Sequence, residues 1–305
     1  MIRIGVDFGG TKIEAAALGL AGEVLVRTRI STPGDYTTAV EAVGALVEGV
    51  EAVAGRGAVG VCVPGSPSPR DGCIRNANTT WLNGRPFGQD LEARLGRPVR
   101  LANDANCFAL SEALDGAAAG AAAVFGVILG TGCGGGVVMG GALAEGANGI
   151  AGEWGHIPLP WTEAGEHPGP LCWCGRRGCL ETWISGPGFE ADFERAAGRR
   201  LTAPQIVAAA RAGDGPAQGA MARHLDRLAR GLAVIADIVD PSVIVLGGGL
   251  SNIDELYVDL PQRIGAYAFS DVYAVRVVRA RHGDSSGVKG AAWLWPQGPD
   301  PEPSP

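Results

Sequence analysis

Apolar residues along this chain fall into two patterns: short, nearly unbroken runs, and longer stretches spaced in threes and fours. Runs of roughly four to eight apolar residues closed by glycine or proline read as buried strands, and three-to-four spacing reads as one face of a helix. Residues 2–8 (IRIGVDF) are therefore expected to form a strand ending at Gly9-Gly10. Residues 13–18 and 23–30 form two more, joined by a turn at Ala21-Gly22. A helix over about 36–54 follows, then a strand over 58–63 ending in Pro64-Gly65. Leu91 and Leu95 mark a short helix, Val99–Ala102 a strand, and Asn103 onward a helix to about Gly116.

After an Ala/Gly-rich stretch at 116–123 the pattern starts again. Residues 124–129 (VFGVIL) read as a strand, Gly130–Gly136 as a turn, and Val137–Met139 as the opening of a return strand. Ala217, Met221, Leu225, Leu228, Leu232 and Ile235 line one face of a long helix stopped by Asp240-Pro241. Ser242–Leu246 reads as a strand before Gly247-Gly248-Gly249, with 252–267 helical, 275–279 extended and 285–295 helical. Each half thus opens strand, Gly/Thr turn, strand. This weak internal repeat predicts an α/β protein of two similar lobes with a ligand cleft between them. The expected division is 1–118 for the N-terminal lobe, 119–284 for the C-terminal lobe, and a last helix over 285–296 packing back on the first. Residues 297–305 read as a disordered tail, because a Pro-rich polar segment cannot form a core.

Composition narrows the picture only slightly. With 305 residues, 46% of them hydrophobic, a packed core is available, while no apolar run is long enough to span a bilayer. A net charge of −7 without a basic cluster argues against a nucleic-acid or anionic-membrane surface.

Three polar stretches interrupt the apolar pattern where chemistry is expected. In Asp7-Phe-Gly-Gly-Thr-Lys12, glycines after a strand let backbone N–H groups reach phosphate oxygens. Thr11 adds a hydroxyl, Lys12 a positive charge, and Asp7 a carboxylate for hydrated Mg²⁺. The stretch is neither a P-loop nor a dinucleotide fingerprint, since GxxxxGK[ST] is absent and a strand follows it. A lone Gly-Gly-Thr is more simply a hairpin turn, but Gly130-Thr131-Gly132 repeats it at the matching place in the second half. Two such hairpins can grip a nucleotide's phosphates, and Gly247-Gly248-Gly249 could admit its adenosine. Asn103-Asp104-Ala-Asn106 lies where a strand becomes a helix, so these residues cap the helix or place a carboxylate beside a phosphoryl acceptor. Gly65 and Asn76-Ala-Asn78-Thr-Thr-Trp81 make a polar loop, able to read sugar hydroxyls or simply to cover the surface.

Residues 153–181 carry the densest signal. Glu153-Trp-Gly-His156 precedes Cys172-Trp-Cys174-Gly-Arg-Arg-Gly-Cys179-Leu-Glu181. One imidazole and three thiolates form a four-donor set of the kind zinc prefers in a closed structural site. Buried thiols or a disulfide are the other readings of the seven cysteines, and Cys62, Cys73, Cys107 and Cys133 fit buried thiols. An odd cysteine count and the absence of a signal-like start favour a reducing, cytoplasmic setting over a disulfide framework. Acids at both ends, Glu153 and Glu181, make the knot look like the wall of a binding site.

Together, DFGGTK, NDAN, GTGCGGG, EWGH and CWCGRRGCLE resemble the ROK family of sugar kinases and repressors over about residues 2–296. NANTTWLNG, RLANDANC, AGEWGHIPLPW, VIVLGGGLSN and HGDSSGVKGAAWLWPQ resemble its bacterial fructokinase (mannofructokinase) branch more narrowly. The resemblance implies two actin-like, hexokinase-like lobes built on ribonuclease H-like repeats and closing on sugar and ATP. It implies ATP along Gly5, Asp7, Gly9, Gly10, Thr11 and Lys12, and along Thr131, Gly132, Cys133, Gly134, Gly135 and Gly136, with Gly247 and Gly248 nearby. Asp104 matches the family's catalytic base. Asn103, Glu153, His156 and Glu181 match its sugar contacts, to which Gly65 and Asn78 are added. His156, Cys172, Cys174 and Cys179 match its zinc ligands, so that His156 serves metal and sugar with its two ring nitrogens. The loop between His156 and Cys172 is longer than in many members.

The implied activity is fructose 6-phosphorylation with a mannose side activity, by a homodimer. Kinases for glucose, mannose or N-acetylglucosamine are the alternatives. A sugar-responsive repressor is expected to need a helix-turn-helix ahead of the first hairpin, which begins at residue 5, and a sensor without catalysis would not need Lys12 and Asp104.

Overall fold

The computed structural model describes residues 2–296; the tail expected at 297–305 lies outside them. Residues 2–119, 142–151 and 282–296 form one compact unit, and 120–141 with 152–281 form a second. In the first unit β1 (Arg3–Phe8) pairs antiparallel with β2 (Lys12–Leu18), which pairs with β3 (Val24–Ser31). After α1 (Tyr36–Ala54), β4 (Ala58–Val63) lies parallel to β1. The two-residue strands β5 (Ser66–Pro67) and β6 (Ile74–Arg75) form a small hairpin, then come α2 (Phe87–Leu95) and β7 (Val99–Asn103), parallel to β4. α3 (Asp104–Leu114) follows directly.

The second unit repeats this wiring. β8 (Ala123–Leu129) pairs antiparallel with β9 (Cys133–Met139); β10 (Ala142–Leu143) belongs to the first unit. β11 (Val243–Gly247) runs parallel to β8, and β12 (Arg276–Arg279) parallel to β11. The order β9-β8-β11-β12 thus matches β2-β1-β4-β7. The expected α/β class of two related sheet-and-helix units holds.

Between β9 and β11 the chain forms α4 (Glu181–Ile184), α5 (Gly186–Ala197), α6 (Ala203–Arg211) and α7 (Gly215–Val239); α8 (Glu255–Tyr267) precedes β12. α5 and α6 lie where the apolar spacing gave no helix. Their signal is in the caps. Ser185-Gly-Pro, Thr202-Ala-Pro and Asp214-Gly-Pro each put a capping side chain ahead of a proline in the first turn, where its missing N–H costs nothing. Buried Leu225, Leu228, Leu232 and Ile235 on α7 pack with Phe189, Phe193 and the β8 side chains into the second unit's core.

α9 (Ser286–Trp293) packs on β1, β4 and α3 of the first unit. The approach is close enough to exclude side chains. A Cβ on Gly290 would sit 1.8 Å from the Cys107 carbonyl oxygen, and one on Gly5 1.8 Å from that of Val288. On the other face of the first sheet, Ile4, Val6, Val59 and Val61 are wholly buried and cluster with Val43, Val47 and Val50 of α1.

Candidate active site

The residues singled out from sequence divide between the two units. In the first, the β1–β2 turn carries Gly9, Gly10 and Thr11 at its tip. The Gly9 N–H donates to the Lys12 carbonyl (2.9 Å), and Gly10 and Thr11 are exposed. Asp7 points from the end of β1 and is partly buried. Burial pushes its carboxyl pKa up; the Cys62 thiol opposes the shift, and the negative charges of Glu14 and Asp104 add to it. Gly5 lies inside β1, two residues before Asp7, and its missing side chain makes room for α9.

At the β7–α3 junction, Asn103 is the N-cap: its Oδ1 accepts from the Asn106 N–H at 2.7 Å, leaving the Nδ2 donors. Asp104 opens the helix, and its Oδ1 accepts from the Ala105 N–H at 2.8 Å. Surrounding protein raises the Asp104 carboxyl above its usual range even though the residue keeps solvent contact; the backbone hydrogen bonds oppose that shift. Elsewhere in this unit, Gly65 takes φ +73°, and a Cβ there would meet the Arg75 carbonyl at 2.2 Å. Asn78 is exposed on a loop braced by Asn83, which accepts from the Ala77 N–H and donates to its carbonyl, both at 2.9 Å. Trp81 packs edge-on against Phe8, 6.0 Å between ring centroids, so much of its surface belongs to the core.

In the second unit the turn is shorter than the sequence led us to expect. It covers Gly130–Gly132, with the Gly130 N–H donating to the Gly132 carbonyl (3.0 Å), and Cys133, Gly134, Gly135 and Gly136 already belong to β9. The reason is Trp154. Its buried indole lies edge-on to Phe125 (5.5 Å) and donates to the Gly134 carbonyl (3.1 Å), and a Cβ on Gly135 would strike its ring at 2.7 Å. Gly135 keeps strand geometry while yielding space to an aromatic. Thr131 is exposed at the turn, and Gly247 ends β11. Gly248, at φ +81°, lies against the Leu129 carbonyl.

Trp154 also explains the spacing of Glu153 and His156. It is the anchor of a short 3-10 helix, Trp154–His156, and a Cβ on Gly155 would meet the Cys133 carbonyl at 2.3 Å. With the middle residues pressed onto β9, Glu153 is left exposed on one side and His156 half-exposed on the other.

His156 faces the cysteines. Its Nδ1 lies 3.7 Å from Cys172 Sγ, and Cys174 and Cys179 sulfurs are 3.6 Å apart. All four donor atoms lie within 4.8 Å of one another. Ligands about 2.0–2.3 Å from a tetrahedral ion stand about 3.5–3.8 Å apart, so the set fits a zinc-type ion. Local backbone makes the set: Gly175 N–H closes a turn onto the Cys172 carbonyl, and bridges join Pro158 to Cys179 and Leu171 to Arg177.

Glu181 opens α4 and is held at both oxygens. Oε2 accepts from the Cys133 N–H (2.9 Å) and Oε1 from the Trp173 indole N–H (2.7 Å). Burial, with the neighbouring Glu181 charge, keeps the Cys133 thiol protonated. Two site residues escaped the sequence reading, Trp154 and Trp173. Their signal was present: a large aromatic directly beside each group of donors.

A two-unit α/β fold with paired Gly/Thr turns, a carboxylate at a helix start and a His/Cys₃ donor set defines a class. The chain belongs to the ROK family, whose profile matches residues 3–298. It is 43% identical over 296 residues to N-acetyl-D-glucosamine kinase from Vibrio cholerae, covering 95% of this chain and 98% of that one. A ROK hexokinase from Thermus thermophilus superposes with a TM-score of 0.86 at 35% identity, covering 96% of this chain and 97% of that one. A ROK family glucokinase from Streptomyces griseus, in complex with glucose and AMPPNP, gives 0.74 at 30% identity over 98% and 100% of the two chains. Among the described residues, no helix is long and apolar enough to cross a membrane.

Proposed function

We propose that this protein transfers the terminal phosphoryl group of ATP to a hydroxyl of a hexose, with N-acetyl-D-glucosamine as the favoured acceptor. The observation that carries the reading is Asp104, an exposed carboxylate fixed at the start of α3 by the Ala105 N–H, with its basicity raised by the protein packed around it. Such a group accepts a hydrogen bond from an alcohol and takes its proton as the oxygen attacks phosphorus. Phosphoryl transfer depends mostly on positioning and charge, and the remaining residues supply both. Thr11, Lys12 and the backbone around Thr131 and Gly132 hold phosphate oxygens. Asp7 would hold hydrated Mg²⁺, which neutralises charge on the transferred group. In the first unit Asn103 through Nδ2, with Gly65 and Asn78, and in the second Glu153, Glu181 and the free nitrogen of His156 are the proposed contacts to hexose hydroxyls. His156, Cys172, Cys174 and Cys179 would hold a structural zinc that keeps the imidazole in one orientation.

The acceptor differs from the one that the fructokinase-like motifs lead one to expect. The Vibrio cholerae relative is named for N-acetyl-D-glucosamine, and this supports the acetamido sugar over fructose. Glucose, present in the Streptomyces griseus glucokinase complex, is the second reading. A homodimer is the assembly that the family resemblance implies, and light scattering tests it directly. The deciding assay is ADP release from Mg-ATP with N-acetylglucosamine, glucose, mannose and fructose side by side. The highest kcat/KM is expected for N-acetylglucosamine. Preference for another hexose would move the substrate and keep the chemistry, and no turnover with any sugar would leave a non-catalytic sugar sensor.

A further inference from the structure

Trp173 stands between two cysteines of the metal-binding set and is 67% exposed, an unusual position for the largest apolar side chain. Its ring nevertheless makes two specific contacts. The indole N–H donates to Glu181 Oε1 at 2.7 Å, and the ring meets the His156 imidazole edge to face, with centroids 5.0 Å apart and planes at 82°. Both partners are proposed hexose contacts, so the inference rests on that reading.

We propose that Trp173 is a positioning residue for the hexose, holding Glu181 and His156 at the angle at which they receive sugar hydroxyls. The argument is geometric. Glu181 begins a four-residue helix, and its side chain is fixed at one oxygen by the Cys133 N–H alone. One hydrogen bond leaves the carboxylate free to swing about that contact. The indole N–H on the other oxygen removes the swing, and each oxygen keeps a second lone pair for a ligand hydroxyl. On the imidazole side, the metal-facing Nδ1 sets one end of the ring, and the edge-to-face contact sets the plane. Because Trp173 is flanked directly by Cys172 and Cys174, its place depends on the folded knot. The knot is thereby linked through one side chain to Glu181 and on to the start of β9.

The decisive variant is Trp173→Phe, which keeps a ring against His156 and deletes the N–H. Hexose affinity is measured by calorimetry on the full chain without nucleotide, together with KM for ATP and zinc content. Removing a hydrogen bond to a charged group predicts about a 10-fold weaker hexose Kd. KM for ATP and one zinc per chain should be unchanged. In the background of Glu181→Gln, the same substitution should add less than about twofold, since its partner is already altered. Hexose affinity unchanged in Trp173→Phe, or zinc lost in step with affinity, would overturn the assignment. Wild-type protein that binds no hexose would remove the kinase reading and this inference with it, whereas wild-type binding with an indifferent Trp173→Phe removes the inference alone.

Discussion

Arg230 grips Glu166 with both ends of its guanidinium, Nη1 to Oε2 and Nη2 to Oε1, each at 2.9 Å. The same Nη1 also donates to the carbonyls of Pro160 and Trp161, and Arg227 reaches Glu166 Oε1 at 2.7 Å and Asp192 Oδ1 at 2.7 Å. All four side chains are buried. This network fastens the long 157–171 loop to α7, and that loop joins His156 to Cys172.

Breaking one partner of a buried pair leaves the other charge stranded. Glu166→Ala is expected to destabilise by about 3–5 kcal/mol, read by denaturant unfolding. The pH dependence has a definite sign. Burial alone would raise the Glu166 carboxyl, but the Arg230 and Arg227 charges and the Glu163 N–H outweigh it and bring it down to about 2 from the usual 4.5. A depressed carboxylate stabilises fully above its unfolded value and loses that contribution as pH falls from 4.5 through about 2. Glu166→Gln should flatten this acid limb; an unaltered limb would assign it to other carboxylates.

Asp104→Asn should lower kcat by about 10²–10⁴-fold while leaving thermal stability and KM for ATP close to wild type. With Asp104 in the proposed role of base, its raised pKa predicts that activity falls with acid at a pH above the ordinary aspartate value of 3.8. Near-normal turnover by Asp104→Asn would move the proton acceptor elsewhere.

His224 is buried on α7 beside the Phe189 ring, with neither ring nitrogen hydrogen-bonded. Burial lowers its pKa to about 4 from 6.5, with the Arg227 charge adding to the shift and Asp192 opposing it. The native state therefore takes up this proton later than the unfolded chain. Stability should be complete above 6.5 and be lost as pH falls through about 4. At pH 5 the loss amounts to about 2 kcal/mol. His224→Phe should lose less stability than wild type between pH 7.5 and pH 5 in paired thermal melts. Equal losses would show that the imidazole is not the group responsible.

Cys174→Ser removes one of four donors. Zinc content by elemental analysis should fall below one per chain, and hexose affinity should fall with it, because His156 is then oriented by one restraint fewer. A zinc-free protein that binds hexose normally would confine the knot to stability.

Gly290→Ala tests the seat of α9. Its new methyl would lie 1.8 Å from the Cys107 carbonyl, which is backbone and cannot rotate away. A loss of at least about 2–3 kcal/mol, or failure to accumulate as folded protein, is expected.

Much of this protein was legible in one dimension. Strand runs such as IRIGVDF and VFGVIL, the three-to-four spacing on α7, and the Cys172, Cys174, Cys179 cluster are local patterns, because a strand face, a helix face and a tight cysteine loop are each set by nearby residues. The helices at 186–197 and 203–211 are signalled by caps rather than by apolar period, so hydrophobic spacing alone does not reveal them. Only the tertiary structure decided why Gly135 is glycine in a strand, why Gly5 is glycine, and why Trp154 and Trp173 stand beside the donors. Each answer depends on a partner that folding brings into contact: the Trp154 ring, the α9 backbone, the Gly134 carbonyl, the Glu181 carboxylate. A sequence shows that a glycine is small, but which atom needs the space is settled by packing alone.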